Sequence, residues 1–109
     1  MPKMTAAEYL AMGELRAAYS HEKRRAAVVD ALSVLRSGQL SVAVHNDYRL
    51  GGEARTFWLF THPSGRWFKG EGVTDAAALA EILTSVADWT PSTDFAEEIA
   101  GVLKAIRGA

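Results

Sequence analysis

Apolar residues in the first third of the chain recur every three to four positions, which is the spacing of an amphipathic helix. Residues 5–8 (Thr-Ala-Ala-Glu) form a capping box, so a first helix is predicted from there to about Tyr19. Ser20 belongs to the residue types that favour an N-cap, and a second helix is predicted over residues 21–36. Gly38 is the predicted stop, because glycine adopts a left-handed conformation at little cost.

The period of the pattern then changes to two, which is typical of half-buried strands. Three strands are predicted, at residues 39–45, 56–62 and 66–69. Residues 46–52 and the Pro-Ser-Gly sequence at 63–65 are predicted to be turns, and residues 70–72 are predicted to end the third strand. Because the connections are short, the strands are predicted to form an antiparallel meander.

Two further helices are predicted after the strands. Thr74 is the predicted N-cap of the first, and Pro91 ends it because a residue before proline disfavours helical geometry. Ser92 or Thr93 caps the second, which ends at Gly108. The sequence therefore predicts one α+β domain over residues 1–109 with the element order ααβββαα.

The second and third strands are rich in aromatic residues on both faces. If Phe60 pairs with Trp67, one face carries Trp58, Phe60, Trp67 and Lys69, and the other carries Phe57, Leu59, Thr61, Arg66 and Phe68. An antiparallel sheet with one solvated face normally alternates apolar and polar residues. Two interpretations follow: helices cover both faces, or one aromatic face is exposed as a recognition surface.

Composition narrows the function classes. The chain of 109 residues has no cysteine, which excludes disulfides, thiol nucleophiles and cysteine-ligated metal centres. A cytoplasmic location is expected, since small secreted domains usually carry disulfides and the N-terminal residues do not form a signal peptide. No apolar run is long enough to span a membrane. The net charge of −1 argues against general affinity for polyanions.

The residues that could support chemistry do not form a known spacing. His21, His45 and His62 lie far apart, so no metal site is predicted. Ser64 lies near His62, but a Pro-Ser-Gly turn accounts for that proximity and no third group orients the pair. The sequence therefore predicts a protein that is not an enzyme and has no catalytic residue, cofactor or metal.

One basic cluster stands out at the start of the predicted second helix. Lys23, Arg24 and Arg25 lie where cations oppose the helix dipole, which marks them as candidate phosphate contacts. Together with the aromatic and basic sheet face, they define an alternative function, a nucleic-acid-binding module.

Two segments resemble known families. Residues 67–81, in which a strand ends at Gly-Glu-Gly and Thr-Asp starts a helix, are similar to the last strand and helix of HicB-type antitoxins. They also resemble small phage and prophage proteins, including anti-CRISPR inhibitors. The α-β-β-β-α order of residues 21–87 resembles a double-stranded-RNA-binding domain. That family has Lys or Arg where this chain has Thr74, Asp75, Ala76 and Ala77. The resemblance therefore implies a similar fold without the basic residues that bind phosphates.

These observations favour a small protein-binding module of bacterial or phage origin. It would act as a regulator or inhibitor by occupying the surface of a partner protein, whose identity the sequence leaves open. The predicted partner contacts are Trp58, Trp67, Arg66, Lys69, Tyr48, Arg49 and Glu53. Nucleic acid is the alternative partner, and a homodimer that buries the spare sheet face is a further one.

Overall fold

The computed structural model describes the backbone of residues 6–108 and the side chains of residues 22–108. Its elements, in chain order, are α1 (Ala6–Ser37), β1 (Ser41–Leu50), β2 (Glu53–Thr61), β3 (Trp67–Gly72), α2 (Asp75–Trp89) and α3 (Thr93–Gly108). The strands form one antiparallel sheet in the order β1-β2-β3. The predicted α+β class and the three-stranded meander are therefore confirmed, whereas the capping side chain of Thr5 lies outside the described residues.

The prediction of two N-terminal helices is wrong, because α1 runs without a break through Ser20 as one helix of 32 residues. No glycine or proline occurs between Ser20 and Ser37, so nothing prevents the backbone hydrogen bonds from continuing. The helix does end near Gly38, but the left-handed residue is Gln39, with φ of 67°. Gly38 serves a different purpose, since a Cβ there would collide with the ring of Phe95 from α3.

The β1–β2 hairpin is longer than predicted. Residues 46 and 47 belong to β1 and pair with β2, and the turn consists of Gly51 and Gly52, both with positive φ. A two-residue turn of this kind matches the twist of its flanking strands, which lets both strands extend to the turn.

The register of the β2–β3 hairpin differs by one residue from the predicted one. Thr61 pairs with Trp67, and Phe60 pairs with Phe68. The cause is the turn, in which the His62 N–H donates to the Arg66 carbonyl at 2.8 Å, so the hairpin closes one residue later than expected. A one-residue slip moves a strand's side chains to the opposite face, and Trp58 and Trp67 consequently lie on opposite sides of the sheet.

The three helices lie on one side of the sheet and form the core with it. The large side chains that are least exposed in the described residues come from β2, from all three helices and from the α1–β1 connection: Phe60, Leu35, Leu40, Leu79, Ile82, Leu83, Val86 and Ile99. Phe68 joins them from β3, and Gly70 and Gly72 bring the backbone of β3 against α2. Among the described helices, none is both long and apolar enough to cross a membrane.

The predicted cap of α2 is present and allows a stability test. The Thr74 hydroxyl oxygen accepts a hydrogen bond from the Ala77 N–H at 3.1 Å. Thr74→Ala removes this acceptor, and the free energy of unfolding should fall by about 1 kcal/mol. Thr93→Ala is the matched control, because Ser92 rather than Thr93 accepts from the backbone at the start of α3. Urea denaturation measures both, and equal losses in the two variants would contradict the capping role of Thr74.

Candidate functional site

The side of the sheet that faces away from the helices carries a set of apolar side chains, here called the open face. Burial alternates along β2 from Arg55 onward and along all of β3, with one set of positions buried and the intervening set half-buried or exposed. The apolar residues at the centre of the open face are Val44, Phe57, Leu59 and Trp67, and Leu50 lies on the same face at the β1–β2 turn. Trp67 is 59% exposed although it is the largest of them. In the part of the chain that the structure describes, the sheet thus has one covered face and one uncovered face, both aromatic.

Strand pairing places these side chains side by side. Leu59 pairs with Val44 on one flank and with Lys69 on the other. Paired residues on one face form rows across the strands. Trp67 pairs with Thr61 in the row next to that of Leu59, so Trp67 lies diagonally opposite Leu59. Phe57 occupies the next row in the other direction. The four apolar side chains therefore lie in adjacent rows and form one patch.

Polar side chains border the patch and are partly paired with one another. The Tyr48 hydroxyl donates to the Glu71 carboxylate, and the Arg55 Nε donates to the same carboxylate oxygen at 3.3 Å. The Glu53 Oε1 lies 4.0 Å from the Arg55 Nη1. Within the described residues Lys69 forms no ion pair, although it lines a hollow with Glu71 and Glu81 beside the apolar patch.

The predicted partner contacts divide between the two sides of the sheet. Trp67, Lys69, Tyr48 and Glu53 lie on the open face. Arg49 lies beside the β1–β2 turn, where its guanidinium donates to the Gly52 carbonyl at 2.9 Å.

Arg49, which pairs with Ala54, shares the face of Trp58, and Arg66 and Trp58 also lie on this helix-covered side. The Arg66 guanidinium lies 5.4 Å from the centre of the Phe68 ring. Trp58 is only 7% exposed and belongs to the core, so it is not retained as a contact. The register correction explains this outcome, because the expected pairing had placed Trp58 and Trp67 together.

The basic cluster of α1 lies apart from the open face. Lys23, Arg24 and Arg25 are exposed, and Arg24 and Arg25 line a hollow with the first residues of α2, on the side of the sheet that the helices cover. The alternative of nucleic-acid binding combined this cluster with the aromatic sheet face. The structure does not bring the two parts onto one surface.

The His62 and Ser64 side chains do meet, within the β2–β3 turn. The His62 Nδ1 lies 2.9 Å from the Ser64 hydroxyl and accepts from the Ser64 N–H at 3.1 Å. Among the described side chains, no carboxylate forms an ion pair with His62. The histidine ring instead packs edge-on against Trp89, with 4.8 Å between ring centres. These contacts stabilise the turn.

A second cluster, which sequence spacing did not reveal, joins β1 to the start of α2. The His45 Nε2 lies 3.5 Å from an Asp47 carboxylate oxygen and 3.5 Å from an Asp75 carboxylate oxygen. One ligand atom from each residue lies within 4.8 Å of the other two. His45 and Asp47 are two positions apart on one strand and so share a face. Asp75 is distant in sequence, and only the fold brings it near.

No family model, characterised protein or solved structure matches the chain. The similarity of residues 67–81 to HicB-type antitoxins and phage proteins stays a prediction, as does that of residues 21–87 to double-stranded-RNA-binding domains.

Proposed function

We propose that this chain is a non-enzymatic protein-binding module that recognises a partner protein through the open face of its sheet. The observation that carries the proposal is the contrast between the two aromatic faces, of which the helices cover only one. By occupying a partner's surface in this way, the module acts as a regulator or inhibitor, in the manner of the bacterial and phage proteins that residues 67–81 resemble.

The residue types on the open face suit an interface. Tryptophan and tyrosine anchor many protein–protein contacts, because they bury a large area and lose little side-chain entropy. Trp67 is the exposed anchor, and Leu59, Phe57 and Val44 surround it with apolar surface. The helices hold the sheet from behind, so the patch is pre-organised and little ordering cost opposes binding.

The charges define the surface that this module fits. Arg55 and Glu71 neutralise each other, whereas Lys69 has no ion pair in the described part of the chain. The complementary surface therefore presents apolar side chains opposite Trp67 and Leu59 and a carboxylate opposite Lys69. A polyanion would instead require several cations on the same face, and the basic cluster of α1 lies on the other side.

Site-specific photo-crosslinking in a lysate of the source organism tests the proposal. A photoreactive amino acid at Thr61, which is exposed and pairs with Trp67, should form an adduct with one protein. The same probe at Val29, which is exposed on α1, should not. Trp67→Ala, added to the Thr61 probe, should weaken the adduct by about thirty-fold, as expected of an interface anchor.

Three outcomes would overturn the proposal. An adduct that persists after Trp67→Ala would show that the open face does not carry the binding. An adduct with nucleic acid would favour the alternative function, and an adduct with a second copy of the chain, supported by sedimentation, would favour a homodimer.

A further inference from the structure

We infer that His45, Asp47 and Asp75 form a binding site for a divalent transition-metal ion of the Zn²⁺ type. The site lies on the helix-covered side of the sheet, at the edge strand β1, and is separate from the open face. It combines one imidazole nitrogen with two carboxylates, a donor set that suits zinc and its neighbours better than Mg²⁺ or Ca²⁺.

The spacing of the ligand atoms leaves room for a metal ion between them. The two distances of 3.5 Å from the His45 Nε2 to Asp47 and Asp75 exceed the usual 2.7–3.2 Å of an N–H···O hydrogen bond. Bonds of about 2.0–2.2 Å to a tetrahedral Zn²⁺ separate neighbouring ligand atoms by about 3.3–3.5 Å. Neighbouring ligand atoms around an octahedral Mg²⁺ would lie about 3 Å apart. The two distances from His45 to the carboxylates therefore fit the edge of a tetrahedral site, and the two carboxylate oxygens lie within 4.8 Å of each other.

Neighbouring side chains hold two of the three ligands in place. The Trp58 indole N–H donates to the Asp75 Oδ1 at 2.9 Å, and the Thr56 hydroxyl donates to the same oxygen at 3.2 Å. The His45 ring stacks on the Trp58 indole, with 3.8 Å between centres and 15° between planes. Metal ligands are commonly oriented by such a second layer of contacts. The buried Trp58, first expected to contact a partner, thus acts here as a positioning residue.

Arginines line the hollows beside Asp47 and Asp75, but in the described residues none forms an ion pair with either carboxylate. Arg24 and Arg25 line the hollow next to Asp75. Arg55 is engaged by Glu71 on the open face. The three ligands are partly exposed, so solvent supplies the fourth position and a route of entry. A bound ion would tie β1 to the beginning of α2.

Titration with ZnCl₂ on the full chain, followed by calorimetry and by NMR of the histidine rings, tests the inference. One equivalent of Zn²⁺ should bind, the His45 ring signals should move and those of His62 should not, and the melting temperature should rise with Zn²⁺ concentration. MgCl₂ at the same concentration should produce none of these changes.

Two variants each remove one ligand. Asp47 is 75% exposed, so Asp47→Asn should leave the fold intact, and His45→Gln provides the second test. Each should weaken Zn²⁺ binding at least tenfold, whereas His62→Gln, the matched control, should bind as the unmodified chain does. Absence of saturable binding at millimolar Zn²⁺ would overturn the inference, and so would unchanged affinity in both ligand variants.

Discussion

Gly70→Ala should lower the free energy of unfolding by about 3 kcal/mol, because the added methyl group has no room between the sheet and α2. A Cβ at Gly70 would collide with the carbonyl oxygen of Ala78 and lie 2.9 Å from the Ile82 Cγ1. The obstacle on one side is helix backbone, which cannot rotate away as a side chain could. The helix would have to move off the sheet, which would loosen the packing of Ile82 and its neighbours.

The same chemical change at Gly101 provides the matched control. Gly101 lies in α3, and a Cβ there would meet nothing within 4 Å. Gly101→Ala should therefore raise the free energy of unfolding by about 0.5–1 kcal/mol, since alanine loses less backbone entropy than glycine in a helix. Urea denaturation of both variants gives the comparison. A Gly70→Ala variant as stable as the unmodified chain would contradict the close approach of β3 and α2.

The role of Gly70 shows where local patterns were sufficient and where they were not. Residues 70–72 were predicted from the sequence to end the third strand, because glycine commonly interrupts regular structure. The structure places Gly70 and Gly72 within β3, facing the alanines that begin α2. That helix, its Thr74 cap and its end before Pro91 were predicted correctly from short-range signals. The reason for the glycines depends on a contact between elements, which no local pattern contains.

The candidate site was likewise predicted only in part, because local patterns indicated an aromatic face but not which residues lie on it. β2 and β3 contain more aromatic residues than one face of the sheet can accommodate. The sequence therefore indicated that both faces are aromatic. Which residues occupy it depended on one hydrogen bond in the turn, from the His62 N–H to the Arg66 carbonyl, and the assumed register differed by one residue. Trp67 was assigned to the exposed face and lies there, while Trp58 lies in the core.

The His45 cluster could not have been found by spacing. Metal motifs are recognised when ligands repeat at short intervals on one element, as with two histidines on one helix turn. Here the α2 cap determines where Asp75 lies, and the β1–β2 register determines where His45 lies. The one available signal was the alternation of His45 and Asp47, which became meaningful once residues 46 and 47 proved to be strand rather than turn.

The same substitution, Phe to Ala, should have very different effects on stability at positions 60 and 57 of β2. Phe60 is 1% exposed and packs under the helices, so its truncation should cost about 3–5 kcal/mol of unfolding free energy. Phe57 lies on the same strand but on the open face, where it is half-buried and no helix of the described residues covers it. Its truncation leaves no enclosed cavity, and the expected loss is about 1 kcal/mol or less.

This pair distinguishes the two interpretations of an aromatic sheet. If helices or a second copy covered both faces of the isolated protein, the two substitutions would create cavities of similar size and similar cost. Denaturation at several protein concentrations measures the two losses and detects any contribution from self-association. A Phe57→Ala loss close to that of Phe60→Ala would mean that the open face is already covered. A small loss would leave Phe57 as apolar surface that the fold does not need, which is the property a recognition surface requires.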